Sequence, residues 1–323
     1  MKTGWIAFLL MFAFLTGFDF SMAAESGYPT KSVEIISGQP GGGIDIGARM
    51  IAERAKEYLG QPVIVVSKPG GAGRVALNYV AKAKPDGYTL VALSDPAIVL
   101  IPHLEKVEYK PFDDFTFIVQ YGLMDVGVAV SADSPFQNMK DLVEFARANP
   151  EKLTISVFGA TSAGAVALSA IALREGVKIK IVPFSGGAAA GSALLGGHVL
   201  VTANALPVLS PHVKAKKVKM LAIMGEERDS THPDVPTLKE VGYPIVFQNW
   251  YFIAGPKNLE NSVAKKLEQS FRKVIELPEY TKFAKDQMLW ARNPVSGMDL
   301  REGLIKRSRE TEELLNRLGL LVK

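Results

Sequence analysis

Val33-Glu34-Ile35-Ile36 and, one residue later, Gly38-Gln39-Pro40-Gly41-Gly42-Gly43-Ile44-Asp45 are the stretch that decides the fold. The β-branched run predicts a buried strand, and the glycines after it predict a turn. From about Ile44 to Tyr58, apolar residues recur on one face of a predicted helix, which Gly60 ends. Strand, turn and helix in this order predict an α/β domain with a parallel sheet.

The glycine-rich turn has a chemical use as well as a structural one. The N-terminus of a helix has free backbone N–H groups and a partial positive charge, and glycine lets a ligand approach the backbone closely. Residues 38–45 therefore predict a neutral cradle for a carboxylate or a phosphate, without lysine or arginine. Asp45 suits the start of the helix, where it accepts backbone N–H bonds. The alternative is an ordinary turn that needs glycine for its shape.

Short β-branched runs alternate with helical patterns along the rest of the chain, which extends the α/β prediction. Helices are predicted near 141–148, 163–174 and 188–195, and the chain from about Ser262 onward is helical. The further predicted strands are Val63–Val66, Thr89–Leu93, Phe115–Gln120, Val126–Val130, Leu153–Val157, Ile181–Pro183, Val199–Thr202, Val218–Ile223 and Trp250–Ala254.

Two of these strands, Phe115–Gln120 and Val126–Val130, follow one another too closely for a parallel connection. Only Tyr121–Asp125 separates them, and a crossover helix takes about a dozen residues. They either pair as a hairpin or belong to different sheets, and we favour different sheets because the α/β pattern then restarts. We predict two lobes, one from residues 25–123 and 247–323 and the other from 124–246, with the helix Arg301–Arg317 closing the first. Ligands of open α/β sheets bind beyond the carboxyl ends of the strands, here in a cleft between the lobes.

Small polar residues follow several strands of both lobes, where a ligand in the cleft would meet them. We predict that they contact the ligand through hydroxyl, amide and backbone groups, although helix capping explains part of them. These further candidate binding residues are Ser94 and Asp95, then Thr161, Ser162 and Ala163, then Phe184, Ser185 and Gly186, and finally Asn204.

Composition excludes several classes of chemistry. The 323 residues are 48% hydrophobic and carry a net charge of +4, with no cysteine and four isolated histidines. Disulfides, thiolate metal sites and a cysteine nucleophile are therefore excluded, and we predict neither an enzyme nor a bound metal or cofactor. The basic cluster Lys214–Lys219 lacks interleaved aromatic residues, so we interpret it as a solvated turn and expect no nucleic-acid partner.

The N-terminus has the pattern of a secretory signal. Lys2 precedes an apolar run from Trp5 to Phe18, and Ser21–Ala24 offers small residues for cleavage after Ala23 or Ala24. The alternative, a membrane anchor, needs about 20 apolar residues, more than the run provides. We predict that residues 1–24 are removed and that the mature protein is periplasmic. Without a cysteine it has no site for a lipid anchor.

A second glycine turn matches the dinucleotide-binding pattern G-x-G-x-x-G/A. Gly71-Ala72-Gly73-Arg74-Val75-Ala76 follows a predicted strand, and Asp95 lies near the distance expected for a ribose-binding acid. Pro69 and Gly70 lengthen the turn, and the match falls on the second strand–helix unit. The export signal also directs the chain to where free nicotinamide cofactor is scarce. These three points make an exported NAD-binding oxidoreductase the weaker hypothesis, and we keep it as the alternative function.

Blocks along the mature chain resemble the substrate-binding proteins of tripartite tricarboxylate transporters, also called the Bug family. The blocks, in order, are Tyr28-Pro29, Pro40–Asp45 with Ala48-Arg49, Leu59–Val63, Lys68–Gly70 with Ala72-Gly73, Lys84–Leu90, Pro183-Phe184 with Gly186, Leu195–Gly197, Leu221–Ile223 and Pro233–Thr237. The resemblance implies a type II periplasmic binding fold. It also implies a carboxylate ligand in the cleft, held by residues 38–45, 161–164 and 184–186 through backbone groups and ordered water.

The resemblance further implies a partner of one large and one small integral membrane subunit, and we expect a monomeric receptor. A role as the ligand-sensing partner of a sensor kinase stays open. Departures from the family pattern leave the ligand undefined among di- and tricarboxylates, aromatic acids and acidic amino acids. The first loop has Gly38-Gln39-Pro40-Gly41-Gly42 where the family usually has Phe-Pro-Ala-Gly-Gly, so an aromatic wall is gone and an amide is present. Ala163 stands where the family often has a histidine, and Asn204 where it usually has an aspartate. Asp95 either favours an ammonium group on the ligand or points away from it.

Overall fold

A computed structural model describes residues 27–289 and 293–321 of the chain. The predicted signal peptide, residues 1–24, lies outside the described residues. In the described part, ten strands are β1 Val33–Ser37, β2 Val63–Ser67, β3 Thr89–Ser94, β4 Phe115–Met124, β5 Val126–Ser131, β6 Thr154–Val157, β7 Lys180–Pro183, β8 Val201–Ala205, β9 Val218–Ile223 and β10 Asn249–Pro256.

The helices cover the faces of these strands, and a 3₁₀ turn at Gly71–Gly73 precedes the second one. In the described residues they are α1 Gly43–Leu59, α2 Arg74–Ala81, α3 Pro96–Val99, α4 Ile101–Leu104, α5 Met139–Ala148, α6 Ala163–Glu175, α7 Gly187–Leu195, α8 Leu206–Lys214, α9 Asn261–Ile275, α10 Pro278–Asp286 and α11 Gly297–Leu318.

The strands form two five-stranded sheets, one in each lobe, with the orders β2-β1-β3-β10-β4 and β7-β6-β8-β5-β9. In each sheet the strands are parallel except one, because β10 runs antiparallel to β3 and β4, and β5 runs antiparallel to β8 and β9. The strands are rich in Val and Ile, and the side chains of the central strands β1, β3 and β8 are mostly buried, whereas the edge strands β2 and β7 are partly exposed. The predicted two-lobed α/β fold is confirmed.

The chain crosses between the lobes at two places. β4 ends at Met124 and β5 begins at Val126 in the other sheet, so Asp125 alone joins them and the hairpin alternative is wrong. Strand β4 continues beyond Gln120, where the sequence predicted its end, because Gly122, Leu123 and Met124 pair with the start of β10. The second crossing runs from β9 back to β10. The residue boundaries predicted for the lobes remain a prediction.

The direction of the strands decides where the loops lie. β4 leaves the first sheet at its carboxyl end, and β1, β2 and β3 have the same direction as β4. β5 enters the second sheet at its amino end, and β6, β7 and β8 run opposite to it. The loops that follow β1 and β6 therefore lie on the two sheet edges that meet at the crossing, which is where a cleft between the lobes has its walls.

The helix α11 contacts both lobes and carries a buried ion pair. It packs against β4 and α3 in the first lobe and against α6 in the second, so it does more than close the first lobe as predicted. Its Arg307 donates Nη2–H to Asp95 Oδ2 over 2.7 Å, and Asp95 is 1% exposed. The same guanidinium stacks 4.9 Å from the centre of the Trp250 ring. A carboxylate this deeply buried needs its cation.

We predict that Arg307→Met lowers the free energy of unfolding by about 3–5 kcal/mol, because it leaves the Asp95 carboxylate buried and unpaired. Chemical denaturation of the purified protein measures this. Arg309→Met, on the exposed side of the same helix, is the control and should change stability by less than about 0.5 kcal/mol. Equal losses in the two variants would show that the ion pair has no special role.

Candidate functional site

The loops that follow β1 and β6 share one hydrogen-bond pattern, although their backbones differ: Gly41 has a φ of 73° in the first loop and Gly159 has a φ of 125° in the second. In each loop, the residue before the helix donates its N–H to the carbonyl three residues earlier, Gly42 to Gln39 and Ser162 to Gly159, over 3.2 Å in both cases. The carbonyls of Gly42 and Ser162 then accept the first helical hydrogen bond, over 3.0 and 3.1 Å. The chain therefore repeats this hydrogen-bond pattern at the facing edge of each lobe.

Both turns leave backbone N–H groups without a partner at the start of a helix. Such groups make the N-terminus of a helix attractive to anions, because they are aligned donors at the positive end of the helix dipole. In the part of the chain that the structure describes, no group accepts a hydrogen bond from the N–H of Gly43, Ile44 and Asp45 in α1, or of Ala163 and Gly164 in α6. These five N–H groups are the hydrogen-bond donors that the site offers to an anion.

Asp45 holds the first loop in shape. Its Oδ2 accepts the N–H of Gly41 over 3.2 Å and Nε–H of Arg49 over 2.8 Å, and Gly41 has the left-handed φ of 73° that glycine adopts at little cost. Burial alone would raise the pKa of Asp45, but the hydrogen bonds from Arg49 and Gly41 outweigh it and hold the pKa below its ordinary value. Asp45 is thus ionised and neutralised by Arg49.

The first loop lies directly against the loop after β2. A side chain at Gly38 would come within 2.6 Å of the Cα of Gly73, so the position admits only glycine unless one loop moves. Gln39 and Pro40 are exposed, and the described residues offer no hydrogen-bond partner to the Gln39 side chain. The loop is therefore fixed at Gly38 and Gly41, and Gln39 is free to turn toward a ligand.

The second lobe contributes two neighbouring loops. Ser162 caps α6, since its Oγ accepts the N–H of Ala165 over 3.4 Å, while the described residues contain no partner for the Thr161 hydroxyl. The segment Phe184–Gly186 precedes α7 at the same sheet edge, and the Phe184 N–H binds the carbonyl of Val157 over 2.8 Å. Ser185 is exposed. Thr161 and Ser185 are thus the free hydroxyls of this wall.

Asn204 is buried, and both ends of its side-chain amide are hydrogen-bonded within the protein. Its Nδ2 donates to the carbonyl of Gly187 over 2.8 Å, and its Oδ1 accepts the N–H of Ala205 over 2.9 Å. A side chain at Gly187 would come within 2.8 Å of Oδ1. Asn204 therefore positions the start of α7, and we no longer expect its side chain to be a principal ligand contact.

The carboxylate of Asp95 is also hydrogen-bonded within the protein. This decides between the two roles left open for it, contact with an ammonium group of the ligand or orientation away from the ligand. Its Oδ1 accepts the N–H of Trp250 over 2.9 Å and its Oδ2 accepts Nε–H of Arg307 over 2.9 Å. A carboxylate with both oxygens bound cannot select an ammonium group on a ligand. The same pairing weakens the dinucleotide interpretation, because the acid required for the ribose is not free. Ser94 beside it is half-buried and pairs with Tyr251 between strands.

The two crossings are hydrogen-bonded to one another, which sequence reasoning missed. Nε2–H of Gln248 donates to Asp125 Oδ1 over 2.8 Å, and the Gln248 carbonyl accepts Nη2–H of Arg307 over 2.5 Å. Burial raises the pKa of Asp125 to about 6, and nearby Asp229 adds to the rise while Gln248 opposes it. The only local signal was a lone acid inside an apolar run, Tyr121–Val126.

A cavity of about 1050 Å³ lies beside the second crossing, between α11 and α6. Of the predicted site residues, only Asp95 and Ala163 reach it, so this cavity is not the cradle formed by the loops. In the described residues no three histidine or acidic side chains come together to hold a metal ion. Nor does any described helix combine the length and apolar character needed to cross a bilayer.

Two α/β lobes joined by hydrogen-bonded crossings, with helix N-termini on facing edges, define a two-lobed solute-binding protein. A family model described as "Tripartite tricarboxylate transporter family receptor" matches residues 47–316, and the chain belongs to this family. That confirms the family and the type II periplasmic binding fold predicted from the sequence. The family is one of receptors that serve a transporter and not a class of enzymes.

Relatives and solved structures agree with this membership. The "UPF0065 protein in gbd 5'region" of Cupriavidus necator is 33% identical over 261 residues, which is 80% of this chain and 79% of that protein. The periplasmic binding protein BugD has a TM-score of 0.77 and 26% identity, over 92% of this chain and all of the other. An R. palustris protein solved with adipate has a TM-score of 0.79 and 25% identity, over 90% and 98%.

We predict a pH effect from Asp125. The folded protein holds this proton more tightly than the unfolded chain, where the pKa of aspartate is about 3.9. The stabilisation is therefore complete below about pH 4 and is lost as the pH rises to about 6. Relative to Asp125→Asn, which still accepts from Gln248, the wild type should lose about 2–3 kcal/mol of unfolding free energy across this range.

Urea denaturation of both proteins at several pH values checks this, and Asp133→Asn controls for the loss of one exposed charge in the same lobe. Stability curves of wild type and Asp125→Asn that stay parallel from pH 4 to pH 7 would contradict the raised pKa.

Proposed function

We propose that this chain is an exported receptor that captures a small carboxylate between its lobes and delivers it to an integral membrane transporter of one large and one small subunit. The observation that supports this most strongly is the pair of turns at Gly42 and Ser162, which share one hydrogen-bond pattern and whose helix-start N–H donors have no partner among the described residues. Both face the crossing between the lobes. Such donors suit an anion, and their duplication suits a ligand with an acidic group at each end.

The donors are neutral groups, and this decides how the ligand is bound. No lysine or arginine lies in residues 38–45 or 158–164, so the loops bind a carboxylate without a full positive charge. Arg49, the cation nearest in sequence, is paired with Asp45. A neutral site pays a smaller desolvation cost when it closes than a charged one, and it releases its ligand more readily to a transporter.

Closure of the lobes completes the site. Each loop presents its N–H groups from one lobe only, so a ligand held by both loops binds the closed arrangement more tightly than the open one. The crossings, joined by Gln248 and Asp125, form the hinge of this motion. The receptor thus reports occupancy by its shape, which a membrane partner recognises.

Ligand class, export and assembly form part of the same proposal. The neighbour solved with adipate makes a straight-chain dicarboxylate a suitable first probe. Tricarboxylates, aromatic acids and acidic amino acids present the same acidic groups and belong in the same screen. The receptor acts as a monomer after removal of residues 1–24, in the periplasm, without a lipid anchor, cofactor or catalytic step.

We predict that Gly42→Asp abolishes the thermal stabilisation produced by the best dicarboxylate of a straight-chain series. Gly42 has an ordinary extended φ of −86°, and a side chain there meets nothing closer than 3.4 Å, so aspartate fits but places a negative charge at the cradle. Gly42→Asn has nearly the same shape without the charge, and it should keep most of the stabilisation. Stabilisation of Gly42→Asp equal to that of Gly42→Asn would remove this loop from the site.

A second prediction concerns the ligand. The monomethyl ester of the best dicarboxylate should bind about ten- to a hundredfold more weakly than the diacid, because its carbonyl accepts neutral hydrogen bonds, worth about 0.5–1.5 kcal/mol each, in place of charge-assisted ones, worth about 1.5–3 kcal/mol each. Calorimetric titration of the wild type with both compounds measures the ratio. Equal affinities would mean that one loop alone holds the ligand and that the two-sided capture proposed here is incorrect.

A further inference from the structure

The end of the second lobe that points away from the cleft carries a concentration of lysines. We call it the distal edge: β6, β7, β8 and β9 begin there and β5 ends there. Backbone hydrogen bonds place its segments side by side, since Lys180 N–H binds the Leu153 carbonyl and Ala132 N–H binds the Lys217 carbonyl, both over 2.9 Å. Its exposed lysines are Lys152, Lys178, Lys180, Lys214, Lys216 and Lys217.

Few acidic side chains lie near these lysines to neutralise their charge. Apart from Glu175, which pairs with Arg147 over 3.3 Å, the acids of these segments are Glu151 and Asp133, and Lys178 pairs with Glu151 over 3.9 Å. The other five lysines form no ion pair with any described residue. Six lysines against two acids leave an excess of four, which equals the net charge of the full 323-residue chain. The positive charge of the protein is thus concentrated at one end of one lobe.

Apolar side chains are exposed among these lysines. Leu195, the last residue of α7, is 41% exposed, and Leu200 just before β8 is 38% exposed. A turn at Gly197, whose φ is 70°, lies between them. The Leu200 N–H binds the carbonyl of Thr154 over 3.1 Å, so Leu200 lies beside the start of β6, which Lys152 shortly precedes in the chain. Exposed leucines bordered by lysines are typical of surfaces that bind membranes peripherally.

We propose that the distal edge binds anionic phospholipid headgroups and holds the receptor at the surface of the membrane that contains its transporter. Apart from Arg147, which is paired with Glu175, these cations are lysines, compact point charges on flexible stems, which suit mobile headgroups. Arginine, by contrast, is the cation enriched in protein interfaces, where lysine is depleted. Because the distal edge is opposite the loops, membrane binding leaves the cleft open to ligand, and ligand capture does not depend on it.

Co-sedimentation with vesicles tests this. At low salt the wild type should bind vesicles of phosphatidylcholine containing phosphatidylglycerol and should not bind vesicles of phosphatidylcholine alone. Each lysine near an anionic surface strengthens the partition by about fivefold, so the triple variant Lys180→Gln, Lys216→Gln, Lys217→Gln should weaken it by about a hundredfold. Lys265→Gln, Lys266→Gln, Lys282→Gln removes the same charge from exposed positions on the first lobe and should bind like the wild type.

Thermal stabilisation by the dicarboxylate should be unchanged in both triple variants, which separates a failure here from a failure of ligand capture. No binding of the wild type to the anionic vesicles would overturn the proposal, as would an equal loss in the two triple variants. A further result would overturn the proposal and favour a protein partner instead. The wild type would bind the transporter in phosphatidylcholine nanodiscs, the distal triple variant would not, and neither would bind anionic lipid alone.

Discussion

The arrangement of the two lobes depends on one partly buried guanidinium and the buried carboxylate that it binds. Arg307 of α11 pairs with Asp95 at the end of β3, stacks on Trp250 of β10 and binds the carbonyl of Gln248 in the second crossing. The side chain of Gln248 continues the connection to Asp125 in the first crossing. One cation thus joins the C-terminal helix, the first sheet and both crossings. A buried carboxylate that needs its cation fixes where the crossings lie, and the crossings decide which sheet edges face one another.

The site follows from that arrangement and from a repeated turn. The chain places a strand, a turn and a helix with the same hydrogen-bond pattern at Gly42 and at Ser162, and each supplies N–H donors that no other described residue binds. Everything else at the loops holds them in shape: Asp45 binds Gly41, Gly38 packs on Gly73, and Asn204 fixes α7. Recognition therefore comes from the fixed backbone. The exposed side chains, such as Gln39, are left to distinguish one acid from another.

Local patterns in the sequence predicted much of this fold. The first strand, the glycine turn and α1 lie where they were expected, because β-branched runs, glycines and apolar periodicity act over a few residues. The strand order in each sheet and the roles of Asp95 and Asn204 did not follow from local patterns. Asp95 finds Arg307 at a separation of 212 residues, and no motif near either residue announces the pair. Helix α8 was also missed, because Pro207 and Pro211 disguise its pattern.

The central claim is that backbone N–H groups at two helix starts bind the ligand. Nuclear magnetic resonance of the isotope-labelled protein, titrated with the best dicarboxylate, observes these groups directly. The account predicts saturable downfield shifts of the amide protons of Gly43, Ile44, Ala163 and Gly164, all with one dissociation constant. Unchanged amide signals at these residues, with shifts instead around the cavity beside α11, would contradict it.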